Sequence, residues 1–194
     1  MPPYGASGVF YVSIMNNSER ICVYIDGSNL YNSLKNNDCA EMKFDFDGFA
    51  RSFVGNRKLQ EIRYYIGEIR SSPNDDKSMR LRRHQRILFE KLKKMGFYII
   101  KGQLLKIGNV FIEKGVDVKI AIDMVENAYE NKYDTAILIT SDGDLAPAIE
   151  MIVRKNKKVE VVGFENRLSY ALMQKASIYR SVRKADLQNF SFEL

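Results

Sequence analysis

The sequence has few cysteines, no tryptophan and no long apolar run. Its two cysteines, Cys22 and Cys39, are too few for a disulfide framework, which predicts a reducing, cytoplasmic environment. No apolar run approaches the roughly 20 residues that a membrane-spanning helix needs, so no membrane partner is expected. Four prolines and 12 glycines in 194 residues exclude collagen-like and low-complexity chains.

What is present is a hydrophobic fraction of 45%, which supports a packed interior. A chain of 194 residues suits one domain with one substantial core. Residues 1–20 lack the basic start of a secretion signal and are interpreted as an N-terminal arm. Residues 21–190 are interpreted as the domain.

Strand and helix patterns alternate along the chain. Runs nearly continuous in Val, Ile and Tyr predict strands covered on both faces: Ile21–Ile25, Ile62–Ile66, Phe97–Ile100, Thr135–Thr140 and Val159–Phe164. Periodic apolar residues predict the helices Ser78–Met95, Val118–Tyr129, Leu145–Arg154 and Leu168–Ala176. In the second of these helices the predicted apolar stripe is Val118, Ala121, Ile122, Val125 and Tyr129. Lys106–Ile112 suits a small hairpin, and the alternation as a whole predicts an open, largely parallel α/β sheet.

Basic residues are concentrated in two stretches. Residues 77–94 carry eight basic residues and one acidic residue, and residues 154–184 carry nine basic and two acidic residues. Because the net charge is only +6, the rest of the chain is acidic. Two basic stretches beside a carboxylate-rich remainder favour a surface that binds a polyanion. Two solvated helix faces explain the same charges equally well.

Carboxylates follow the predicted strands at the points where parallel strands end. Asp26 follows the first predicted strand, and Asp142 and Asp144 follow the fourth. Asp117 stands at the start of the predicted helix Val118–Tyr129. Since ligands of open α/β sheets bind beyond the carboxyl ends of the strands, we expect these side chains to meet at one edge. Carboxylates that close repel one another unless a cation lies between them, and their hard oxygens suit Mg²⁺ or Mn²⁺.

Each aspartate also has a purely structural explanation. Asp26 with Gly27 suits a turn at a strand end, Asp117 suits a helix N-cap, and Asp142 or Asp144 suits the cap of the following helix. Taken singly, these explanations are as good as a metal site. Taken together they are weaker, because Ser, Thr or Asn would cap as readily, yet every one of these positions holds Asp.

Three segments resemble the signature blocks of one known family. They are residues 24–30 (YIDGSNL), 114–118 (KGVDV) and 133–144 (YDTAILITSDGD), and they occur in the family's order. These blocks resemble those of the NYN domains, which belong to the PIN-like nucleases, and in particular those of the LabA-like branch of bacteria and archaea. The resemblance covers the chain from Ile21 to Phe164.

The resemblance implies a compact, single-domain α/β/α sandwich with a mainly parallel central sheet of about five strands and a PIN-like, Rossmann-like topology. It also implies a ribonuclease that depends on Mg²⁺ or Mn²⁺ and hydrolyses a phosphodiester bond. Matched residue by residue, the metal ligands and catalytic acids are Asp26, Asp117, Asp142 and Asp144. Asn29 matches the polar residue that helps to order the first carboxylate or the phosphate.

Other polar residues near these motifs carry weaker expectations. Asp123 matches an acid of the same branch, but its helix face, shared with other acidic residues, favours solvent exposure. Ser141 suits a contact to a carboxylate or phosphate, or a simple turn. His84, the only histidine, is expected on the surface of a helix rather than in catalysis.

RNA, single-stranded or structured, is the expected partner, and arginines are expected to follow its backbone. The expected nucleic-acid contacts are Arg80, Arg82, Arg83, Arg86 and Lys114. A homodimer is left open. The main alternative is an RNA-binding or regulatory module on the same fold that cleaves little or not at all, because a fold does not fix a function.

Overall fold

The structure is a computed structural model, and it describes residues 18–69, 75–107 and 110–192. Most of the predicted N-terminal arm, residues 1–17, lies outside the described residues. Across the described ranges, none of the helices combines the length and apolar character needed to cross a bilayer. Cys22 and Cys39 are both buried, and neither forms a disulfide.

One sheet runs through the described residues, with strands in the order β4-β3-β2-β1-β5-β6-β7. The strands are β1 Arg20–Asp26, β2 Lys58–Glu68, β3 Tyr98–Ile107, β4 Val110–Lys114, β5 Thr135–Ile139, β6 Lys158–Phe164 and β7 Ile178–Val182. All pairings are parallel except that of β3 with β4. The predicted, mainly parallel sheet is therefore confirmed, and all the predicted strands belong to it.

Two strands extend the sheet beyond the prediction. β4 pairs with β3 from Ile107↔Val110 to Gln103↔Lys114, which confirms the predicted hairpin, although its turn at residues 108–109 lies outside the described residues. β7 is an edge strand in which only Val182 is buried. Its sequence therefore lacks the continuous apolar run that marks the buried strands.

Helices cover both faces of the sheet. They are α1 Gly27–Asn36, α2 Phe46–Val54, α3 Asp76–Lys94, α4 Val116–Tyr129, α5 Ala146–Arg154, α6 Tyr170–Lys175 and α7 Lys184–Gln188. The predicted helices correspond to α3, α4, α5 and α6. The sequence does not predict α1, because Leu30 and Leu34 are its only aliphatic residues. The short helix α7 is likewise not predicted, because it has only five residues.

The two faces of β1 belong to different layers of the core. Ile21, Val23 and Ile25 pack into a cluster with residues of α1, α2 and α3. Cys22 and Tyr24 pack into a second cluster with residues of α4, α5 and α6. Because successive residues of a strand point to opposite faces, a strand buried on both sides reads as one continuous apolar run. This arrangement is an α/β/α sandwich.

Helix α4 turns a different face to the core from the one its apolar stripe indicates. Val118, Ile122 and Tyr129 are 56–57% exposed. The buried residues of α4 are Val116, Ile120, Met124, Asn127 and Ala128. Since α4 is apolar on two opposite faces, its periodicity does not decide which face packs inward. The predicted stripe is therefore wrong for Val118, Ile122 and Tyr129, which form an exposed apolar strip, whereas Ala121 and Val125 are partly buried and pack against the core.

Candidate functional site

The carboxylate of Asp26 is buried and held from two sides at the end of β1. The residue is 7% exposed. Its Oδ1 accepts a hydrogen bond of 3.0 Å from the backbone N–H of Asn29, which makes Asp26 the N-cap of α1. Its Oδ2 accepts a bond of 2.9 Å from the Thr140 hydroxyl. The sequence offers a turn at the strand end or a metal site as explanations of Asp26; in the structure Asp26 caps α1 and is also bonded to Thr140 after the neighbouring strand.

A short loop after β5 is tied to the end of β1. The Thr140 hydroxyl, which donates to Asp26, accepts a 3.1 Å bond from the N–H of Asp142. The side-chain oxygen of Asn29 accepts a 3.1 Å bond from the N–H of Ser141. Since β1 and β5 are neighbouring parallel strands, these bonds join their carboxyl ends. Asp26 and Asp142 are therefore linked through one hydroxyl group.

Ser141 and Thr140 hold this loop in place. The Ser141 hydroxyl accepts a 2.9 Å bond from the N–H of Phe164 at the end of β6, so it braces the loop against the next strand. Of the two roles expected for Ser141, a contact to a carboxylate or phosphate and a simple turn, this bond corresponds to the turn. Thr140 is not among the site residues predicted from the sequence, because it is the last residue of the predicted strand Thr135–Thr140. Its hydroxyl group directly before Ser-Asp-Gly-Asp was the feature of the sequence that could have indicated a role in the site.

Glycine at position 27 is required by the close approach of α1 to β2. A Cβ atom there would lie 2.6 Å from the backbone oxygen of Tyr65 and 2.6 Å from the ring of Tyr64. The backbone oxygen belongs to a central strand and cannot move aside. The glycine after Asp26 therefore lets the helix begin directly at the strand end, which fixes where the Asp26 carboxylate points.

Asp144 lies on a 3₁₀ turn, Gly143–Leu145, and Asp142 directly precedes this turn. Asp142 caps this turn, since its Oδ1 accepts a 3.1 Å bond from the N–H of Asp144. Asp142 is half-buried and Asp144 is exposed. Capping uses one lone pair of one oxygen, so both carboxylates keep further oxygen lone pairs for a cation.

Asp117 lies in the first turn of α4 and is exposed. The N-cap of α4 is Gly115, whose φ of 74° lies in the left-handed region. The alternative explanation of Asp117 as an N-cap is therefore wrong, although a carboxylate in the first turn still benefits from the helix dipole. The 3₁₀ turn that carries Asp144 packs against α4. Asp117 thus belongs to an element that adjoins the turn of Asp142 and Asp144.

The predicted ligands share one edge of the sheet but do not form a closed cage. Within residues 18–69, 75–107 and 110–192, no three Asp, Glu, His or Cys side chains come close enough to hold a metal ion. The donors at this edge are nonetheless all hard oxygens, which fits Mg²⁺ or Mn²⁺. Such ions retain several waters and take one or two carboxylates from the protein. The donor set therefore fits the ion by its chemistry.

Asp123 is not solvent-exposed in the way its helix position indicates. Its Oδ2 accepts a 2.9 Å bond from the Arg63 guanidinium and a 2.7 Å bond from the Tyr65 hydroxyl. Burial and the bond to Asp123 both raise the pKa of Tyr65 above its ordinary range. Asp123 therefore pairs α4 with β2. The expectation of exposure is wrong because α4 is rotated relative to its apolar stripe.

The structure separates the two basic stretches. Most cations of residues 154–184 form ion pairs, namely Lys157–Asp134, Lys175–Glu150, Arg180–Glu160, Arg183–Asp186 and Lys184–Asp38. The arginines of α3 are all exposed: Arg80, Arg82, Arg83 and Arg86. Lys114 is also exposed, at the end of β4. His84 is an exposed residue of α3, as expected.

Gln85 fixes the position of these arginines relative to the sheet. Its side-chain NH₂ donates to the Gly67 carbonyl at 2.8 Å, and its oxygen accepts from the Ile69 N–H at 2.9 Å. Gly67 and Ile69 lie at the carboxyl end of β2. The arginine-bearing half of α3 therefore lies toward the same edge of the sheet as Asp26.

A groove of about 490 Å³ lies between α1 and α3 at this edge. Its walls are mainly apolar, and its polar residues lie on α1, on the 3₁₀ turn Glu41–Lys43 and on α3. The side chains that line it include Ser28, Tyr31, Asn32, Glu41, Met42, Leu81 and His84. Ser28 is in the first turn of the helix that Asp26 caps, so the groove adjoins the carboxylate edge.

Glu41 is the acidic residue of the groove. Burial raises the pKa of its carboxyl group from 4.5 to about 7, against the opposing charge of Lys91. Lys91 itself donates to the backbone oxygen of Phe44 at 2.9 Å and to that of Met42 at 3.2 Å. A large share of the Glu41 side chains is therefore protonated and uncharged at neutral pH.

Comparison with known proteins points to one family. The family model of the NYN domain matches residues 20–183. The chain is 23% identical to the low amplitude and bright protein LabA of Synechococcus elongatus over 178 residues, which cover 88% of this chain and 87% of the relative.

Two further proteins are similar to this chain. An uncharacterized protein of Methanocaldococcus jannaschii is 40% identical over 57 residues, which cover 29% of this chain and 24% of the relative. The crystal structure of a protein of unknown function from Vibrio parahaemolyticus superposes with a TM-score of 0.66 and 25% identity. That superposition covers 86% of this chain and 94% of the Vibrio chain, so the fold is shared over nearly the whole domain.

The raised pKa of Glu41 predicts how stability depends on pH. Between pH 4.5 and about 7 the folded state holds a proton on Glu41 that the unfolded state has already released. The free energy of unfolding of the wild type should therefore fall as pH rises through this window, by about 2 kcal/mol. Glu41→Gln, which has no proton to release, should lack this fall. Urea unfolding at pH 5 and pH 8 measures it.

The exposed Glu165 provides the control, since Glu165→Gln should keep the pH dependence of the wild type. Parallel stability curves for the wild type and Glu41→Gln would contradict the prediction, because they would place the Glu41 carboxyl in an environment as polar as water.

Proposed function

Because the chain belongs to the NYN domain family, whose members are generally nuclease-like, we propose that it is a ribonuclease that depends on Mg²⁺ or Mn²⁺. The observation that carries the proposal is the bonding of Asp26 and Asp142 through the Thr140 hydroxyl. This network holds oxygen donors at the carboxyl ends of two neighbouring strands, where ligands of open α/β sheets bind. A turn or a cap alone would not require a bond between the two strands.

Four residues would surround the ion, namely Asp26, Asp117, Asp142 and Asp144, of which one or two would contact it directly and the others would contact its bound waters. When bound, a divalent ion would lower the pKa of a coordinated water and neutralise charge on the phosphate. The protein's own groups supply orientation. The bonds from the Asn29 N–H and the Thr140 hydroxyl fix the rotamer of the Asp26 carboxylate, so the carboxylate is oriented before an ion binds.

Asn29 has two roles in this proposal. Its side-chain oxygen accepts from the Ser141 N–H, which orients the amide group. Its NH₂ group then serves as a donor to a non-bridging phosphate oxygen, where negative charge increases in the transition state. Lys114, which is exposed near Asp117, would add a positively charged contact to a phosphate of the RNA.

The arginines of α3 would bind the RNA backbone away from the bond that is cut. They lie toward the carboxylate edge, because Gln85 bonds α3 to the end of β2. Contacts to phosphates give affinity and orientation without sequence specificity. Binding and cleavage are therefore assigned to different groups of residues.

One observation favours a second candidate function, an RNA-binding module with little cleavage. Within the described ranges no three carboxylates approach closely enough to hold an ion. A protein that only binds RNA needs the arginines of α3 and does not need a closed metal site. The two candidates differ in whether a divalent ion changes the integrity of the RNA or only its affinity.

The first test of cleavage separates the charge of Asp142 from its capping bond. Asp142→Asn keeps the side-chain oxygen that accepts from Asp144 but removes the charge. With Mn²⁺, this variant should cleave single-stranded RNA about a hundredfold or more slowly than the wild type. In EDTA it should melt no lower than the wild type, because like-charge repulsion at the edge is reduced. Added Mn²⁺ should raise the melting temperature of the wild type more.

Asp142→Ala is the matched control, because it loses the cap as well and should melt lower in EDTA. Cleavage by the wild type that continues undiminished in EDTA would disprove the metal-dependent mechanism. Intact RNA in Mg²⁺ and in Mn²⁺, together with retained binding, would favour the module without cleavage.

The arginines of α3 are tested by the salt dependence of binding. The triple variant Arg82→Ala, Arg83→Ala, Arg86→Ala should bind single-stranded RNA more weakly, and the slope of log affinity against log salt should be smaller by about 2. Fluorescence anisotropy in EDTA measures binding without cleavage.

The matched control removes three exposed cations at the opposite edge of the sheet, by Lys94→Ala, Arg154→Ala and Lys155→Ala. It has the same change in net charge and should keep the salt slope of the wild type. Equal slopes for both triple variants would show that the arginines of α3 are only a solvated surface.

A further inference from the structure

The groove between α1 and α3 continues the carboxylate edge along α1. Asp26 caps this helix, Ser28 lies in its first turn, and Tyr31 and Asn32 lie one turn further on. The opposite wall is formed by the arginine-bearing half of α3, from which Leu81 and His84 line the groove. A strand of RNA held at the carboxylates and at the arginines of α3 therefore passes the mouth of the groove.

We propose that this groove receives one unpaired nucleobase of the RNA, next to the phosphate at the carboxylate edge. The proposal rests on the proposed function and adds a base-binding subsite to it. The volume of about 490 Å³ lies within the roughly 300–1,000 Å³ typical of small-ligand pockets. A base paired within a duplex remains stacked and cannot enter, so the subsite favours single-stranded RNA.

The walls of the groove match the faces of a base. Tyr31 is 41% exposed and Met42 is 40% exposed, so both present apolar surface at the opening. Leu81 contributes an aliphatic wall from α3. An aromatic ring beside aliphatic side chains is a surface on which a base stacks, and stacking accepts any base.

The polar groups of the groove match the edges of a base. Asn32 offers an amide from α1, and His84 offers a ring nitrogen from α3. Glu41 offers a carboxyl group whose pKa burial raises to about 7, so much of it is an uncharged donor at neutral pH. An uncharged carboxyl group does not repel the phosphates of the strand, whereas an ionised one would.

The charges around the groove favour a nucleic acid over an apolar peptide. Arg80 and Arg82 are exposed and flank the lining residue Leu81 along α3. Phosphates on both sides of an inserted base would meet these arginines on one side and the proposed ion on the other. The groove thus joins an apolar slot for a base to cationic surface for its backbone.

The test scans the position of the base along the strand. Fluorescence-labelled single-stranded RNA of ten nucleotides, with one abasic nucleotide placed at each position in turn, is bound to the full chain in EDTA. The wild type should lose affinity by about tenfold when one particular position, or two adjacent ones, lacks its base, and much less elsewhere. The same RNAs with Mn²⁺ should show that this position adjoins the cleaved bond.

Two variants assign the effect to the groove. Tyr31→Ala removes a stacking wall, and Met42→Trp fills the slot; both residues are partly exposed, so both variants should fold. Each should bind intact RNA less tightly and should no longer distinguish the abasic RNA from the intact RNA. Tyr98→Ala removes a 60% exposed tyrosine at the start of β3, at the opposite edge, and should retain the wild-type difference.

The results separate this proposal from the proposed function. Cleavage in Mn²⁺ with equal affinity for every abasic RNA would overturn the base-binding groove and leave the ribonuclease standing. A position-specific loss that persists in both Tyr31→Ala and Met42→Trp would place the base elsewhere and also overturn the groove. A loss that vanishes in both variants, with no cleavage in any metal, would support the groove and disprove the ribonuclease.

Discussion

The hydrogen bond between the Thr140 hydroxyl and the buried Asp26 carboxylate is the interaction on which the candidate site depends. A carboxylate that is only 7% exposed is costly unless it is hydrogen-bonded, and Thr140 and Asn29 provide the bonds. The same hydroxyl accepts from the Asp142 N–H, so one group sets the position of two acids. Without it, the loop after β5 would lose its bond to β1.

The exposure of Asp117 and Asp144 agrees with the chemistry proposed for them. A closed cage of carboxylates would bind an ion fully and leave no position for water or phosphate, whereas a hydrolytic site needs such positions. Here Asp26 is held rigidly by α1 and β5, while Asp117 and Asp144 are exposed. The fixed acid gives the site its geometry, and the exposed acids leave room for a substrate.

Charge on this protein has two different uses, which the net charge of +6 does not reveal. Most cations of residues 154–184 form ion pairs, and one of them, Lys184 with Asp38, joins distant parts of the chain. The arginines of α3 are exposed and lie beside the carboxylates and the groove. Acids, arginines and an apolar groove therefore lie toward one edge of the sheet, and the proposed binding of RNA would use all three.

The sequence by itself determined the strands, most helices and the edge at which Asp26, Asp142 and Asp144 lie, because strands buried on both faces leave continuous apolar runs and parallel strands end together. Tertiary structure alone decided which face of α4 is buried, that Asp123 pairs with Arg63, that Thr140 bonds to Asp26, and that a groove lies beside them. Periodicity reports the side chains within one segment. These features depend on contacts between segments as far apart as Asp26 and Thr140, which only the packed fold brings together.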